Sequence, residues 1–217
     1  PSASEGIGAS GGIINYISRT PTVEGTEFEL TARYGSQFED DSDVWRIGGN
    51  VSHKSGAWDL FGAASYADSG VYYDGNGRRV GLHTSGSTAD SKSNNLFLKG
   101  GWNFGADEAQ RLQLSLSRFH IKGKGNYILV DGNRTTGLPN TSERGRPLGA
   151  KTEFNEFEQQ ILTYTNRAFF GGTLAVQAYH ADQAMRFLAE DGADRQDPLI
   201  APIGTLVDQS EIMSEKK

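Results

Sequence analysis

The chain has 217 residues, a formal net charge of −6 and a sequence pI near 5.3, with 28 glycines and no cysteine. The absence of cysteine excludes disulfides, thiolate zinc sites and cysteine nucleophiles, and the acidic balance argues against a nucleic-acid-binding domain, which is usually basic. No apolar run approaches the ~18 residues of a transmembrane helix. A transmembrane β-barrel stays open, because alternating strands give such a protein the mean hydropathy of a soluble one.

A glycine-rich turn followed by a β-branched run opens the chain. Gly6, Gly8 and Gly11 have the spacing of a GxGxxG dinucleotide-binding loop. Such a loop must lead into a helix, whereas residues 13–18 read Ile-Ile-Asn-Tyr-Ile-Ser and are stopped by Pro21. We therefore expect a strand after these glycines and no nucleotide site.

Seven stretches after Pro21 alternate apolar and polar residues, which is the period of a β-strand. Each runs about ten residues, near the ~9–11 that a tilted strand needs to cross a membrane and longer than the ~5–6 typical of soluble strands. A soluble sandwich uses the same alternation, so periodicity alone leaves both architectures open. The apolar positions of the seven stretches are Phe28, Leu30, Ala32 and Tyr34; Trp45, Ile47, Gly49 and Val51; Trp58, Leu60, Gly62, Ala64 and Tyr66; Leu96, Leu98, Gly100, Trp102 and Phe104; Leu112, Leu114 and Leu116; Leu162 and Tyr164; and Leu174, Val176 and Ala178.

Short and long connections alternate between these stretches. Outer-membrane barrels have this arrangement, with tight periplasmic turns and long extracellular loops, so it favours a membrane barrel whose first strand runs outward. The short connections are 54–56, 105–110 and 168–172, and the long ones are 36–43, 67–93, 121–156 and 183–210.

Aromatic residues fall near both ends of the predicted strands, as expected for the girdles at the two membrane interfaces. Trp45 and Tyr66 fall near the outer interface, and the periplasmic group comprises Trp58, Trp102, Phe104, Phe169 and Phe170. The other interpretation is that the tryptophans are ordinary core residues.

Seven strands are too few and odd in number to close a barrel, and an open edge in lipid leaves backbone groups that cost several kcal/mol each. We therefore expect the sequence to be a piece of a longer chain, with an eighth strand beginning near Ser214. The alternative is a complete eight-stranded barrel whose last strand lies within 183–210, where Pro202 and Gly204 make a poor spanning strand.

The segment 8–21 resembles the end of the plug domain of TonB-dependent outer-membrane receptors, with Gly8, Gly11, Gly12 and Asn15 in the positions of the plug motif. The resemblance implies an all-β fold: the last plug strand in residues 1–21, then residues 22–217 as the N-terminal part of the barrel. About seven strands of the family's 22 would be present. The stretches 73–77, 111–115, 169–174 and 177–179 are most similar to siderophore receptors of the ferric-aerobactin type.

Membership of this family implies import of a ferric siderophore of the hydroxamate or citrate-hydroxamate type across the bacterial outer membrane. The energy would come from TonB, through a part of the chain not included in this sequence. The siderophore itself coordinates the iron, so we expect no bound cofactor, no direct metal ligand and no enzyme activity. Outer-membrane lipid and lipopolysaccharide would be the other partners. The alternatives are a small barrel with a structural or adhesive role, and a TonB-dependent receptor for another ligand.

Recognition of an anionic chelate calls for aromatic groups on its apolar parts and for Arg or Lys on its carboxylates. The segment 121–151 has a local charge balance of +4 in a chain of −6, which can steer an anion. The other interpretation is that these are solvated loop charges or contacts to lipopolysaccharide, the partner that suits Arg118 better. The predicted ligand-binding residues are Tyr72, Tyr73, Arg78, Arg79, Lys122, Tyr127, Arg144 and Arg146.

The remaining polar residues carry weaker signals. The acidic run 39–43 does not fit the EF-hand pattern, so we expect it to be a solvated extracellular loop. The four histidines lack the spacing of zinc ligands, and the serines form no nucleophile-base-acid arrangement.

Overall fold

The computed structural model describes residues 18–82, 89–147, 151–186 and 211–216. Within them the protein is all-β, and no helix is long and apolar enough to cross a membrane. The strands are β1 Gly25–Gly35, β2 Val44–Ser55, β3 Trp58–Ser69, β4 Ser91–Phe104, β5 Gln110–Gly123, β6 Tyr127–Val130, β7 Thr141–Arg144, β8 Phe154–Phe169, β9 Gly172–Arg186 and β10 Glu211–Lys216.

Eight of these strands form one antiparallel sheet in the order β1-β2-β3-β4-β5-β8-β9-β10, and β6 pairs with β7 in a separate hairpin. The seven stretches predicted from alternation are strands, and most extend a few residues beyond the alternating core. The six-residue β10 starts near Ser214, where an eighth strand was expected, and pairs antiparallel with β9.

The two ends of the sheet differ in their connections. At the turn end, 56–57, 105–109 and 170–171 join neighbouring strands; at the loop end lie 36–43, 70–90, 124–153 and 187–210, the last outside the described residues. Phe170 and Gly171 both have positive φ, 48° and 80°, as a two-residue type I′ turn requires. The predicted alternation of short and long connections is therefore present.

The two faces of the sheet differ in polarity. Residues directly opposite each other in an antiparallel ladder share a face, and the register places Leu30 beside Gly49, Gly49 beside Ala64, and Ala64 beside Leu96. The predicted apolar positions therefore share one face, the apolar face. Many of its side chains are exposed, among them Phe28, Leu30, Trp45, Ile47, Trp58, Leu60, Leu96, Leu114, Leu162 and Val176.

The opposite face, the polar face, carries buried charges. Arg111 donates two hydrogen bonds to the carboxylate of Asp59, at 2.6 and 2.9 Å, and a third to Asn103 at 3.0 Å. A Cβ at Gly101 would overlap the Arg111 guanidinium, so the glycine leaves room for this ion pair. Breaking one partner of such a buried pair is costly, because the other charge stays buried without a counterion.

Most of the buried apolar residues that the structure describes lie among the long connections. Val71, Leu82, Ala89 and Tyr127 form the core cluster of the described residues, with Tyr72 and Tyr73 packed against it. The 124–153 connection contains the β6–β7 hairpin, which the sequence analysis treated as loop. Its signal was the apolar run Tyr-Ile-Leu-Val at 127–130.

Candidate ligand-binding site

Four of the eight predicted ligand-binding residues lie together at the loop end, and two of them contact the carboxylate of Asp41. Tyr127 and Arg144 are directly opposite in the β6–β7 hairpin, Tyr73 and Arg79 form an isolated bridge in 70–90, and Asp41 comes from 36–43. These five residues are the loop cluster. Three long connections therefore contribute to a single group of side chains.

Asp41 holds the hairpin against the first long connection. The Tyr127 hydroxyl donates to Asp41 Oδ2 at 2.5 Å, and Arg144 Nη2 donates to the same oxygen at 2.7 Å. The Arg144 guanidinium lies 5.9 Å from the centroid of the Tyr127 ring. Asp41 is still an exposed residue of the acidic run, and its carboxylate is in addition a structural partner of two loop residues.

Burial and the Asp41 carboxylate both stabilise the protonated phenol of Tyr127. The residue is 1% exposed. Burial, followed by the hydrogen bond to Asp41, raises the pKa of Tyr127 to about 12. The buried ring of Tyr127 thus packs against the guanidinium groups of Arg79 and Arg144 and supports them.

Arg79 lies between two tyrosine rings, 5.4 Å from the centroid of Tyr127 and 5.9 Å from that of Tyr73. Its Nε donates to the Tyr73 hydroxyl at 3.1 Å, and this hydrogen bond raises the pKa of the guanidinium. Among the residues that the structure describes, Arg79 has no carboxylate within ion-pair distance. The charge of the nearby Asp40 also raises the pKa of the guanidinium, without forming an ion pair with it.

Tyr73 is fixed by the first long connection. Its amide donates to Gln37 Oε1 at 2.8 Å, and the Gln37 amide group donates back to the Tyr73 carbonyl at 3.0 Å. The Tyr73 hydroxyl donates to the carbonyl of Asp40 at 2.8 Å. These bonds orient the phenol that carries Arg79, so the position of the cation is set by contacts within the protein.

The other four predicted residues lie outside the loop cluster. Tyr72 packs on the buried core, and Arg78 pairs with Asp74 at 2.7 Å, where the Arg78 backbone amide and guanidinium lower the pKa of that carboxyl. Lys122 is exposed on the apolar face, directly opposite Lys92. Arg146 is exposed beyond β7.

Two of the six cations in 121–151, Lys124 and Arg144, form ion pairs with acids from other parts of the chain. Lys124 pairs with Asp68 at 3.0 Å and with Asp90 at 3.8 Å, and Arg144 pairs with Asp41. The sequence shows these cations but does not indicate their acidic partners, because the partners lie 34 to 103 residues away in the chain. Gly8, Gly11, Gly12 and Asn15 of the plug motif lie outside the described residues.

Neither a protein-family model nor a solved structure matches this chain. In the described part of the chain, no group of three or more His, Asp or Glu side chains is placed to hold a metal ion.

Proposed function

We propose that this chain forms part of the wall of an outer-membrane β-barrel that imports a ferric siderophore with energy supplied by TonB. The ligand would be of the hydroxamate or citrate-hydroxamate class, bound at the loop end. The apolar face would contact lipid, and the polar face would line a lumen filled by the plug. We call the zone of apolar side chains across the apolar face the apolar band. The direction of this band supports the proposal that the sheet lies in a membrane, and the resemblance of segment 8–21 to a plug supports the proposal that the protein is a transporter.

The apolar band runs obliquely to the hydrogen bonds of the sheet. In β1 the apolar positions span residues 28–34, so the band is centred on Thr31. In β9 they span residues 174–178, so the band is centred on Val176. The register leads from Thr31 across six strand pairs to Gln183, seven residues beyond Val176. The centre of the band therefore moves by seven residues along the strands, at about 3.3 Å per residue, while it crosses six inter-strand spacings of about 4.8 Å. This ratio corresponds to strands tilted by about 39° from the normal to the band.

A flat hydrocarbon layer requires the centre of the apolar band to shift in this way from strand to strand. Strands of membrane barrels are tilted by ~35–45°, so a lipid-facing band must move along the strands by about one residue at each step around the barrel. A soluble sheet covered by a second layer has no reason to keep its apolar centre at that slope. The agreement supports lipid as the partner of the apolar face.

Aromatic side chains lie near both edges of the apolar band, where the two membrane interfaces are expected. Tyr34 and Trp45 pack together near the loop end with ring centroids 4.5 Å apart, and Trp58 stacks on Trp102 at 5.1 Å near the turn end. Phe170 occupies a left-handed turn position with its side chain 95% exposed. A bulky ring gains nothing there in water, whereas at a membrane interface it finds an apolar and amphipathic surrounding.

The loop cluster supports an anionic, partly aromatic ligand. Arg79 offers donors that form no ion pair with any described residue, Tyr73 offers an oriented ring, and both are held by hydrogen bonds made within the protein. Pre-organised donors lower the entropy lost on binding. Carboxylates of a citrate-hydroxamate chelate match the guanidinium donors in geometry and charge.

Lipopolysaccharide phosphates would meet the outer rim of the apolar face. Lys122 lies directly opposite Lys92, and because Asp68 already pairs with Lys92 at 3.5 Å, Lys122 is the cation of the two that would meet a phosphate. Arg118 is less suited to this role than the sequence suggested, because it already forms ion pairs with Glu156 at 3.1 Å and with Glu158 at 3.0 Å.

Uptake of labelled iron tests the function. Cells with and without the protein, each with and without TonB, are given the iron complex of a citrate-hydroxamate siderophore. We expect uptake only when both proteins are present. Uptake of a different chelate would instead indicate a receptor for another ligand, and loss of cell attachment without any TonB-dependent uptake would indicate a structural or adhesive barrel.

A further inference from the structure

Residues 18–24, which lead into β1, cross the polar face as a strap with contacts at both ends. At its end near β1, Glu24 accepts a hydrogen bond from the Gly56 amide at 3.1 Å and pairs with Lys54 at 3.2 Å. At its other end, Ser18 and Thr20 reach Lys99 on β4. The strap therefore passes from the β2–β3 turn to the fourth strand of the sheet.

The Lys99 ammonium is enclosed by oxygen atoms of the strap. Its Nζ lies 3.0 Å from the Ser18 carbonyl, 3.1 Å from Ser18 Oγ, 3.3 Å from the Arg19 carbonyl and 2.6 Å from Thr20 Oγ1. An ammonium has three protons to donate, so these acceptors satisfy it fully. The whole residue is 4% exposed.

Lys99 makes no ion pair with any residue that the structure describes. A buried cation without a counterion is costly unless hydrogen bonds replace its hydration. Here every replacement comes from three consecutive strap residues, so the position of the strap and the burial of the charge depend on each other. An ordinary lumen lysine would show neither this burial nor acceptors drawn from one short segment.

We propose that Lys99 is a positioning residue that fastens the strap to the polar face and keeps it in place while ligand is imported. This second part rests on the proposed function. In that setting the strap is a stationary junction between the barrel wall and the chain that precedes it. Ligand binding, at the opposite end of the sheet, does not depend on Lys99.

Mobility of the strap tests this proposal directly. The chain has no cysteine, and Val23 is an exposed strap residue, so Val23→Cys accepts a single nitroxide label in the intact protein in bilayers. We expect a spectrum of restricted nanosecond motion, with or without the ferric chelate. Lys99→Met removes the ammonium while keeping the length of the side chain, and should release the label into fast motion.

Two matched variants separate this role from a general effect of charge. Lys99→Arg keeps a cationic donor and should retain most of the restriction. Lys92→Met removes an exposed lysine from the same strand and should leave the spectrum unchanged. If Lys99→Met does not fold, Ser18→Gly combined with Thr20→Val removes two acceptors without altering β4, and should give the same release.

The label and the uptake assay fail separately. The assignment of Lys99 would be overturned if the motion of the label stayed as restricted as in the parent protein, either in Lys99→Met or in the double strap variant. If the parent imports no ferric chelate, the proposed function fails while the label still decides the role of Lys99. If it does import, Lys99→Met should lower uptake with unchanged ligand affinity, and unchanged uptake by a released strap would overturn the stationary-junction role.

Discussion

Tyr127 determines how the loop end is built, because one buried phenol receives contacts from three connections. Its hydroxyl donates to Asp41, and its ring lies under Arg79 and Arg144. A hydrogen bond to a charged group contributes about 1.5–3 kcal/mol. The residue is therefore a support whose loss would loosen the whole site.

Replacing Tyr127 by Phe should lower the free energy of unfolding by about 1.5–3 kcal/mol, since the Asp41 carboxylate loses a donor. Denaturant unfolding of the refolded protein measures this change. Tyr72→Phe is the control, because Tyr72 packs on the same core and no hydrogen bond of its hydroxyl is part of the loop cluster. Equal losses in the two variants would contradict the role of the Asp41 bond.

The same residue predicts a pH dependence at alkaline pH. The folded-state pKa of Tyr127, about 12, lies above the value of about 10 of an unfolded tyrosine. Its stabilisation is therefore complete below pH ~10 and is lost as the pH rises through about 12. Absorbance at 295 nm should show a late-titrating phenol that Tyr127→Phe lacks; its persistence in that variant would contradict the assignment.

Arg79, the proposed ligand-binding cation, can be compared with its neighbour Arg78, which is paired within the protein. Arg79→Gln should weaken binding of an anionic ferric chelate about tenfold or more, because each 1.4 kcal/mol of lost charged hydrogen bonding is a factor of ten. Arg78→Gln should have little effect, because Arg78 is occupied by Asp74. Fluorescence titration at low salt measures both affinities, and equal weakening would rule out a specific role for Arg79.

At the scale of strands, alternation was sufficient to predict the positions of the strands in an antiparallel sheet. The seven strands, the shared apolar face and the alternation of short and long connections all follow from a period of two and the turn residues. The sequence could not predict which charges pair across strands: Asp59 with Arg111 and Lys124 with Asp68 are 52 and 56 residues apart. Four predicted binding residues converge and four do not, because proximity in a loop depends on packing around Tyr127, which periodicity does not report.

In β5 the centre of the apolar band is Leu114, between Leu112 and Leu116. An Arg at the bilayer midplane costs ~2–4 kcal/mol, so Leu114→Arg should destabilise the protein in bilayers by that amount. Ser117→Arg, on the polar face of the same strand and away from the Lys99 position, should cost less than about 1 kcal/mol. Folding equilibria in lipid vesicles measure both, and comparable costs would contradict the assigned faces.

At the scale of the whole molecule, one sheet separates two environments. The apolar face has no described covering layer, the polar face has the strap and the Asp59–Arg111 pair, and the buried apolar cluster lies among the loops. A soluble domain would place its main core on the apolar face. Lipid supplies that covering layer in the proposed receptor.

The most direct measurement is the depth of single nitroxide labels in bilayers, obtained from their accessibility to oxygen and to a water-soluble nickel complex. Cysteine at Leu30, Leu114 or Val176 should report lipid contact at nearly the same depth, although the register joins Leu30 to Asp182 rather than to Val176. Labels at Ser117 and Gln177, on the polar face, should be shielded from lipid. Equal accessibility on both faces, or depths that follow the register instead of the oblique band, would contradict a tilted transmembrane sheet.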